Sequence, residues 1–278
     1  MNMMRSVHFV LLVIAFSWGP WFVAIATGSS MQSTMGVVCT GLGGLGPAFS
    51  ALLMLTQSTK HKRRSYWRRV IDASIIPGKM WAVLLLLAPL SAVLAVFFSL
   101  PLGHSLSQFA LLPTIMAQPL KIFGFLSVLL LMGPISEELS WRGYWLESLG
   151  KQFNLFTTSL IIAVTWVLWH FPLFHIAGSP LAGLSSDPLR MVVFLGRVLP
   201  ISILFTWVYC CSNRSILAAI LFHLTINFTG SIIHIDSVSK FIEMLLLNLI
   251  AGIVLLKKRE LFFSPPQALD AERKQQTV

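Results

Sequence analysis

Apolar residues run through this chain in long blocks, with short polar breaks between them. A helix that crosses a bilayer needs about 20 mostly apolar residues, and eight windows come close: 7–26, 34–56, 80–100, 122–146, 154–175, 190–211, 214–234 and 238–256. Two are unusual. The last carries Lys240 and Glu243 near one end, and the fourth carries Glu137 and Glu138 well inside it. The pattern predicts an all-α fold, a polytopic transmembrane helix bundle of about eight spans. No internal repeat and no separate soluble domain interrupt it. The polar tail after Lys257, with Pro265 and Pro266, reads as disordered. The expected organisation is therefore residues 1–79 (two spans and a basic loop), a membrane core over 80–256, and a tail over 257–278.

Composition agrees. Of 278 residues, 56% are hydrophobic and only 11% charged, against about 25% in soluble domains. A soluble nucleic-acid binder and a disordered chain are both excluded on that ground. The net charge of +10 needs another explanation, and topology supplies it. With the N-terminus inside and eight spans, fifteen of the Lys and Arg side chains fall in segments on one side. Only Lys121, Arg190 and Lys240 fall on the other, and Arg142 and Arg197 lie within spans. By the positive-inside rule both termini are expected in the cytoplasm, with the 60–69 basic cluster an anchor at an anionic inner leaflet. The first span resembles a signal peptide in Arg5 and its Ala24-Ile25-Ala26 triplet, but Trp18, Pro20, Trp21 and Phe22 put bulky residues where a cleavage site wants small ones. Trp18, Trp21, Trp81 and Trp145 are read as interface-belt residues. Cys39, Cys210 and Cys211 have no CxxC spacing and read as small apolar side chains.

Ionisable residues within a bilayer are costly and usually functional. Here they are few: Glu137, Glu138 and Arg142 in the fourth span, His170 in the fifth, Arg197 in the sixth, His223 with Asn227 in the seventh. Glu138 and Arg142 are one turn apart and can pair, as are His223 and Asn227. Glu137 is turned about 100° from Glu138 and points elsewhere. Counted at 1.5 Å per residue, Glu137 and His223 lie about 15 Å and 14 Å from the cytoplasmic ends of their helices, and His170 about 24 Å from its own. His170 thus sits deeper than the other two, with Pro172 just beyond it. Alone, each group has a bland reading: a structural ion pair, a hydrogen-bonded core histidine, interhelical polar glue. Three spans carrying them together point to one intramembrane polar pocket. Arg197 has two readings, a snorkelling or paired arginine and a partner for a peptide carboxylate.

The residues Glu137-Glu138-Leu139-Ser140-Trp141-Arg142 fit an EExxxR motif, Trp166-Val167-Leu168-Trp169-His170 an aromatic-xxx-His motif with Trp where Phe is usual, and His223-Leu224-Thr225-Ile226-Asn227 an HxxxN motif. In this order, each inside a span, they resemble the CPBP intramembrane proteases, the superfamily that holds Rce1-type CAAX prenyl endopeptidases and bacterial Abi proteins. The resemblance covers roughly residues 80–235. It implies that Glu137 is the base acting on water with His170, that His223 and Asn227 form an oxyanion hole, and that Glu138 and Arg142 shape the site. Those residue types suit peptide hydrolysis: a carboxylate beside a histidine can deprotonate water, and donors one turn apart can meet a developing oxyanion.

Metal dependence stays open at this stage. Glu137, His170 and His223 are also donors a divalent ion such as zinc accepts, whereas Asn227 is a poor zinc ligand. There is no HExxH motif, no GxGD motif and no Asp deep in a span, and Gly183-Leu184-Ser185-Ser186 falls in a loop. The expected function is endoproteolysis of a membrane-associated peptide or lipidated protein in a bacterial cell membrane, with the lipid bilayer and the substrate as partners and no nucleic acid. The alternative is a non-catalytic membrane binder, such as a bacteriocin immunity or scaffold factor.

Overall fold

A computed structural model describes residues 3–110, 117–131 and 133–266. Among them the regular elements are all helices. They are α1 (Met3–Ala26), α2 (Thr34–Gly44), α3 (Gly46–Thr56), α4 (Lys60–Ile71), α5 (Gly78–Ser99), α6 (Pro119–Leu131), α7 (Pro134–Ser140), α8 (Leu146–Leu149), α9 (Leu155–Trp169), α10 (Pro188–Cys211), α11 (Ile216–Ile232), α12 (Ser237–Lys257) and α13 (Arg259–Phe263). Among the described residues seven helical stretches are long and apolar enough to cross a membrane, and α11, at 17 residues, is a shorter apolar helix. These are the eight windows of the sequence, several with shifted ends. The protein is an integral, multi-pass membrane protein.

The surface is inverted relative to a soluble bundle. Leu85, Leu86, Leu90, Leu94, Phe97 and Phe98 of α5 are exposed, as are Leu245, Leu249, Ile253 and Leu256 of α12. They form the lipid-facing side. Small polar side chains lie inside. Ser159 Oγ of α9 and Thr206 Oγ1 of α10 are 2.8 Å apart, and Ser202 Oγ donates to Ser159 O at 2.9 Å. Without water as competitor, such contacts and close backbone approach replace the hydrophobic drive between helices. Gly46 shows the second device. A Cβ there would come within 2.2 Å of Ser17 Oγ, so only glycine lets α3 cross α1 this closely.

Sequence windows become single helices only in part. The second is broken at Leu45, between Gly44 and Gly46-Pro47. The fourth divides into α6 and the α7–α8 stretch, which restarts at Gly133-Pro134 with Pro at the first helical turn. Between α7 and α8 lies a π-helical turn, Trp141–Trp145, the kind of local unwinding that favours functional sites. Tyr66 of α4 donates to Leu139 O there at 2.6 Å. Burial raises the Tyr66 phenol above its ordinary pKa, with Arg69 only partly opposing, so the group stays a donor. Trp21 and Trp145 correct the interface-belt reading. They are buried in the core, 1% and 2% exposed, with Trp21 packed on Trp169 and Trp145 on Trp141. The tail read as disordered opens with α13, whose Phe262 is fully buried. Residues 267–278 lie outside the described part.

Basic residues mark one end of the bundle. There Glu147 accepts from Arg214 Nε at 2.7 Å and from its Nη2, lies 3.5 Å from Arg69 Nη1, and accepts from Tyr209 Oη at 2.7 Å. Asn213 donates to Ile75 O at 2.8 Å. Burial works to lower the Arg214 pKa, but the Glu147 carboxylate outweighs it and holds the guanidinium protonated. One acidic residue of α8 thus ties α4, α10 and the turn before α11 together.

Candidate active site

A cavity of about 350 Å³ opens between α7, α9, α10, α11 and the start of α12. Its walls are mostly apolar. Its polar lining includes Glu137, His170, His223 and Asn227, so the four side chains picked from sequence converge on one space. Glu138 and Arg142 do not line it. They sit directly behind, both fully buried.

Glu137 lies in the first turn of α7, its N–H bonded to Gly133 O at 2.8 Å. Gly133 faces a crowded point. A Cβ there would be 3.2 Å from Glu137 Oε1 and 3.8 Å from Asn227 Nδ2, so glycine allows the carboxylate of α7 and the amide of α11 to approach each other. Ser136 anchors the turn by accepting from Ala48 N of α3 at 3.2 Å.

The partner of Glu137 differs from expectation. Glu137 Oε2 accepts a hydrogen bond from the Trp166 indole Nε1 at 2.5 Å, and no bond joins it to His170 among the described residues. Depth explains this. His170 is the C-cap of α9, just before Pro172, near the far end of its span. Trp166 lies one turn nearer the basic end, at the level of Glu137, and His170 stands one turn toward the mouth. The sequence reading treated Trp166 as a conservative replacement for Phe, but it supplies a donor that phenylalanine lacks. His170 Nδ1 is 2.7 Å from Trp166 O. Only a donor satisfies a carbonyl, which makes Nδ1 the protonated nitrogen and leaves Nε2 as the basic one.

Behind the cavity, Glu138 Oε1 accepts from Arg142 Nη1 at 3.1 Å, the pairing expected at i, i+4, and also lies 2.8 Å from His223 Nδ1. The Arg142 guanidinium stacks 4.0 Å over the Phe205 ring and 5.5 Å from that of Trp166. Phe205 and Trp166 in turn contact the His223 ring edge-on, at 5.3 Å and 5.9 Å. The cluster is incompletely satisfied: Glu138 Oε2, Arg142 Nε and Arg142 Nη2 are buried without a hydrogen-bond partner. Leaving buried polar groups unpaired costs about 1–3 kcal/mol each, and such strain is characteristic of functional sites.

Arg197 resolves as the paired reading. Its Nη2 is 3.1 Å from Glu243 Oε2 on α12. Glu243 was noted in the sequence only as weakening the last span. Glu147 was missed altogether, because nothing local to residue 147 signals three partners on distant segments. As for a metal, among the described residues no group of three or more His, Cys, Asp and Glu side chains could hold an ion. Glu137, His170 and His223 share the cavity without forming such a cluster, and the Nδ1 atoms of both histidines are already engaged.

Residues 119–229 match the family model described as type II CAAX prenyl endopeptidase, Rce1-like. That segment contains Glu137, His170, His223 and Asn227, together with Glu138, Arg142 and Trp166. A CAAX prenyl protease 2 of Methanococcus maripaludis is 29% identical over 252 residues, covering 87% of this chain and 90% of that protein. The matched segment and the curated relative agree: over its membrane core this chain is similar to the Rce1-like CAAX prenyl endopeptidases.

Proposed function

We propose that this protein is an intramembrane endopeptidase that hydrolyses a peptide bond of a membrane-associated substrate, with Glu137 as the base that activates water. The observation that carries the proposal is the convergence of Glu137, His170, His223 and Asn227, from three helices, on one largely apolar cavity. The similarity to Rce1-like CAAX prenyl endopeptidases supports the same reaction class. A prenylated Cys-aliphatic-aliphatic-X peptide, the substrate class in the relative's name, is the natural first probe.

The chemistry follows from the groups present. Trp166 Nε1 fixes the Glu137 carboxylate through one oxygen, leaving the other to accept a proton from water. His170 presents Nε2 to the same cavity and orients that water. As water attacks the scissile carbonyl, the new oxyanion meets Asn227 Nδ2 and His223 Nε2. Neutral His223 donating Nδ1–H to Glu138 would have no proton on Nε2. Oxyanion donation therefore requires a proton shared by the Glu138–His223 pair, and this gives Glu138 its role. Arg142 compensates the Glu138 charge. The proton taken by Glu137 then passes to the leaving amine, and the bond breaks. Each preorganised oxyanion donor contributes roughly 10²–10³ in rate, and a positioned base roughly 10²–10⁴.

This mechanism uses protein groups alone. The purified chain, given the prenylated peptide, is expected to release the C-terminal fragment with or without a strong chelator, detected by mass spectrometry. The Glu137→Gln variant is expected to release none. Activity lost on chelation and restored by zinc would contradict the metal-free mechanism, and wild-type cleavage by Glu137→Gln would contradict the assignment of the base.

A further inference from the structure

The cavity has a polar feature the hydrolytic groups do not use. Arg190 and Lys240 both line it near its mouth, beside Arg197. Arg190 and Arg197 are seven residues apart on α10 and so share a face, and Lys240 lies in the first turn of α12. The acids nearby are otherwise engaged. Glu243 pairs with Arg197. Asp187 caps α10 by accepting from Arg190 N at 3.1 Å. Asp236 caps α12 through Ser239 N at 2.8 Å and meets His104 at 2.8 Å. Among the described residues, neither Arg190 nor Lys240 has an ion-pair partner within 4.0 Å, whereas Arg197 is held in place by its partner. Two cations without an ion-pair partner thus stand at the mouth of a cavity whose walls are mostly apolar.

We infer that Arg190 and Lys240, with Arg197 behind them, form a subsite for a carboxylate of the bound peptide. This rests on the proteolytic reading above and adds a specificity determinant to it. The spacing sets where that carboxylate falls. Arg197 is eight residues from Phe205, which packs on His223 at the floor, a rise of about 12 Å. Lys240 is about one turn higher. An extended peptide advances about 3.3 Å per residue, so the carboxylate lies about three to five residues from the scissile bond once the reach of long side chains is allowed for. A cation that meets a carboxylate away from bulk water forms a charge-assisted hydrogen bond, whereas the neighbouring apolar wall offers a neutral end nothing in exchange.

The test uses three prenylated peptides identical except at the C-terminal end: a free acid, its amide, and the amide with Asp as last residue. Cleavage is followed with full-length protein in nanodiscs of zwitterionic lipid. For wild type, kcat/KM for the acid is expected to exceed that for the amide by about tenfold or more, the effect of a charge-assisted bond. Recovery with the Asp peptide assigns the subsite to any carboxylate, and failure to recover assigns it to the chain terminus. In the double variant Arg190→Gln, Lys240→Gln the acid-to-amide ratio is expected to fall to about one. Should that variant not fold, the wild-type ratio is expected to shrink with added salt, since the mouth is open to screening.

A ratio unchanged in the variant, or in wild type insensitive to salt, overturns the proposal. So does slowing of all three peptides alike by anionic lipid, abolished by the double variant, which would assign the cations to lipid headgroups. Equal cleavage of acid and amide by wild type removes the subsite and leaves the protease reading standing. No cleavage of any peptide removes both.

Discussion

Two carboxylates one helical stretch apart, Glu137 and Glu147, have opposite surroundings. Glu147 at the basic end is bonded by Arg214 and Tyr209 and faces Arg69, and it fastens three distant segments. Glu137 receives one indole hydrogen bond, faces an apolar cavity, and has partly unsatisfied ionic groups behind it in Glu138 and Arg142. A carboxylate ringed by cations has its charge neutralised and its oxygens occupied, and contributes to stability. A carboxylate held at one oxygen in a low-dielectric space retains the capacity to take a proton. The number of satisfied bonds, more than burial, separates structure from chemistry here.

The largest expected effect breaks that contrast at the cavity. Glu137→Gln keeps the shape and removes the base, so kcat/KM for a prenylated peptide should fall at least about 10³-fold, with thermal stability in detergent nearly unchanged. Next is Glu147→Gln. It should destabilise the fold by about 1–3 kcal/mol, below the 3–5 typical of a fully buried broken pair because Arg214 is partly exposed. Its kcat/KM should stay within about threefold of wild type, since the site is distant. A large catalytic defect in a well-folded Glu147→Gln protein would undo the division. Trp166→Phe sharpens it further. Losing one hydrogen bond to a carboxylate corresponds to about tenfold, expected in kcat with KM changed less than about twofold, and an unaltered kcat would remove Trp166 from the mechanism.

The smallest effect lies outside both regions. Burial pushes the Asp236 carboxyl up, but Ser239 and His104 outweigh it and hold its pKa below the ordinary value. A depressed folded pKa means stability that is present above the unfolded value, about 4, and is lost as pH falls through the folded one. Thermal stability should decline below about pH 4, and Asp236→Asn should lose under about 1 kcal/mol at neutral pH while flattening that decline. An unchanged acid profile in the variant would place the acid sensitivity elsewhere.

How far the sequence foretold the molecule follows from which forces are local. Spans were legible because a membrane demands long apolar runs, and a run such as 190–211 declares itself without knowledge of its neighbours. Glu138–Arg142 was legible because i, i+4 spacing is a property of one helix. Trp166 was not, since its role depends on depth: the count put His170 deeper than Glu137 with Pro172 just beyond, but the residue level with Glu137 is the tryptophan one turn below. The π turn at Trp141–Trp145 and the restart at Gly133 were hidden inside a continuous apolar window. Trp21 and Trp145 were misplaced because aromatic residues near span ends suit either an interface or a core, and only packing decides. Glu147 needed three distant segments to reveal it.

The central claim is that Glu137 reacts and Glu147 holds. Its most direct test measures both Glu→Gln variants side by side, each purified in the same detergent, for peptide cleavage and for thermal unfolding. The account predicts a crossed result: Glu137→Gln inactive with wild-type melting, Glu147→Gln active with lowered melting. Cleavage by Glu137→Gln at the wild-type rate would contradict it.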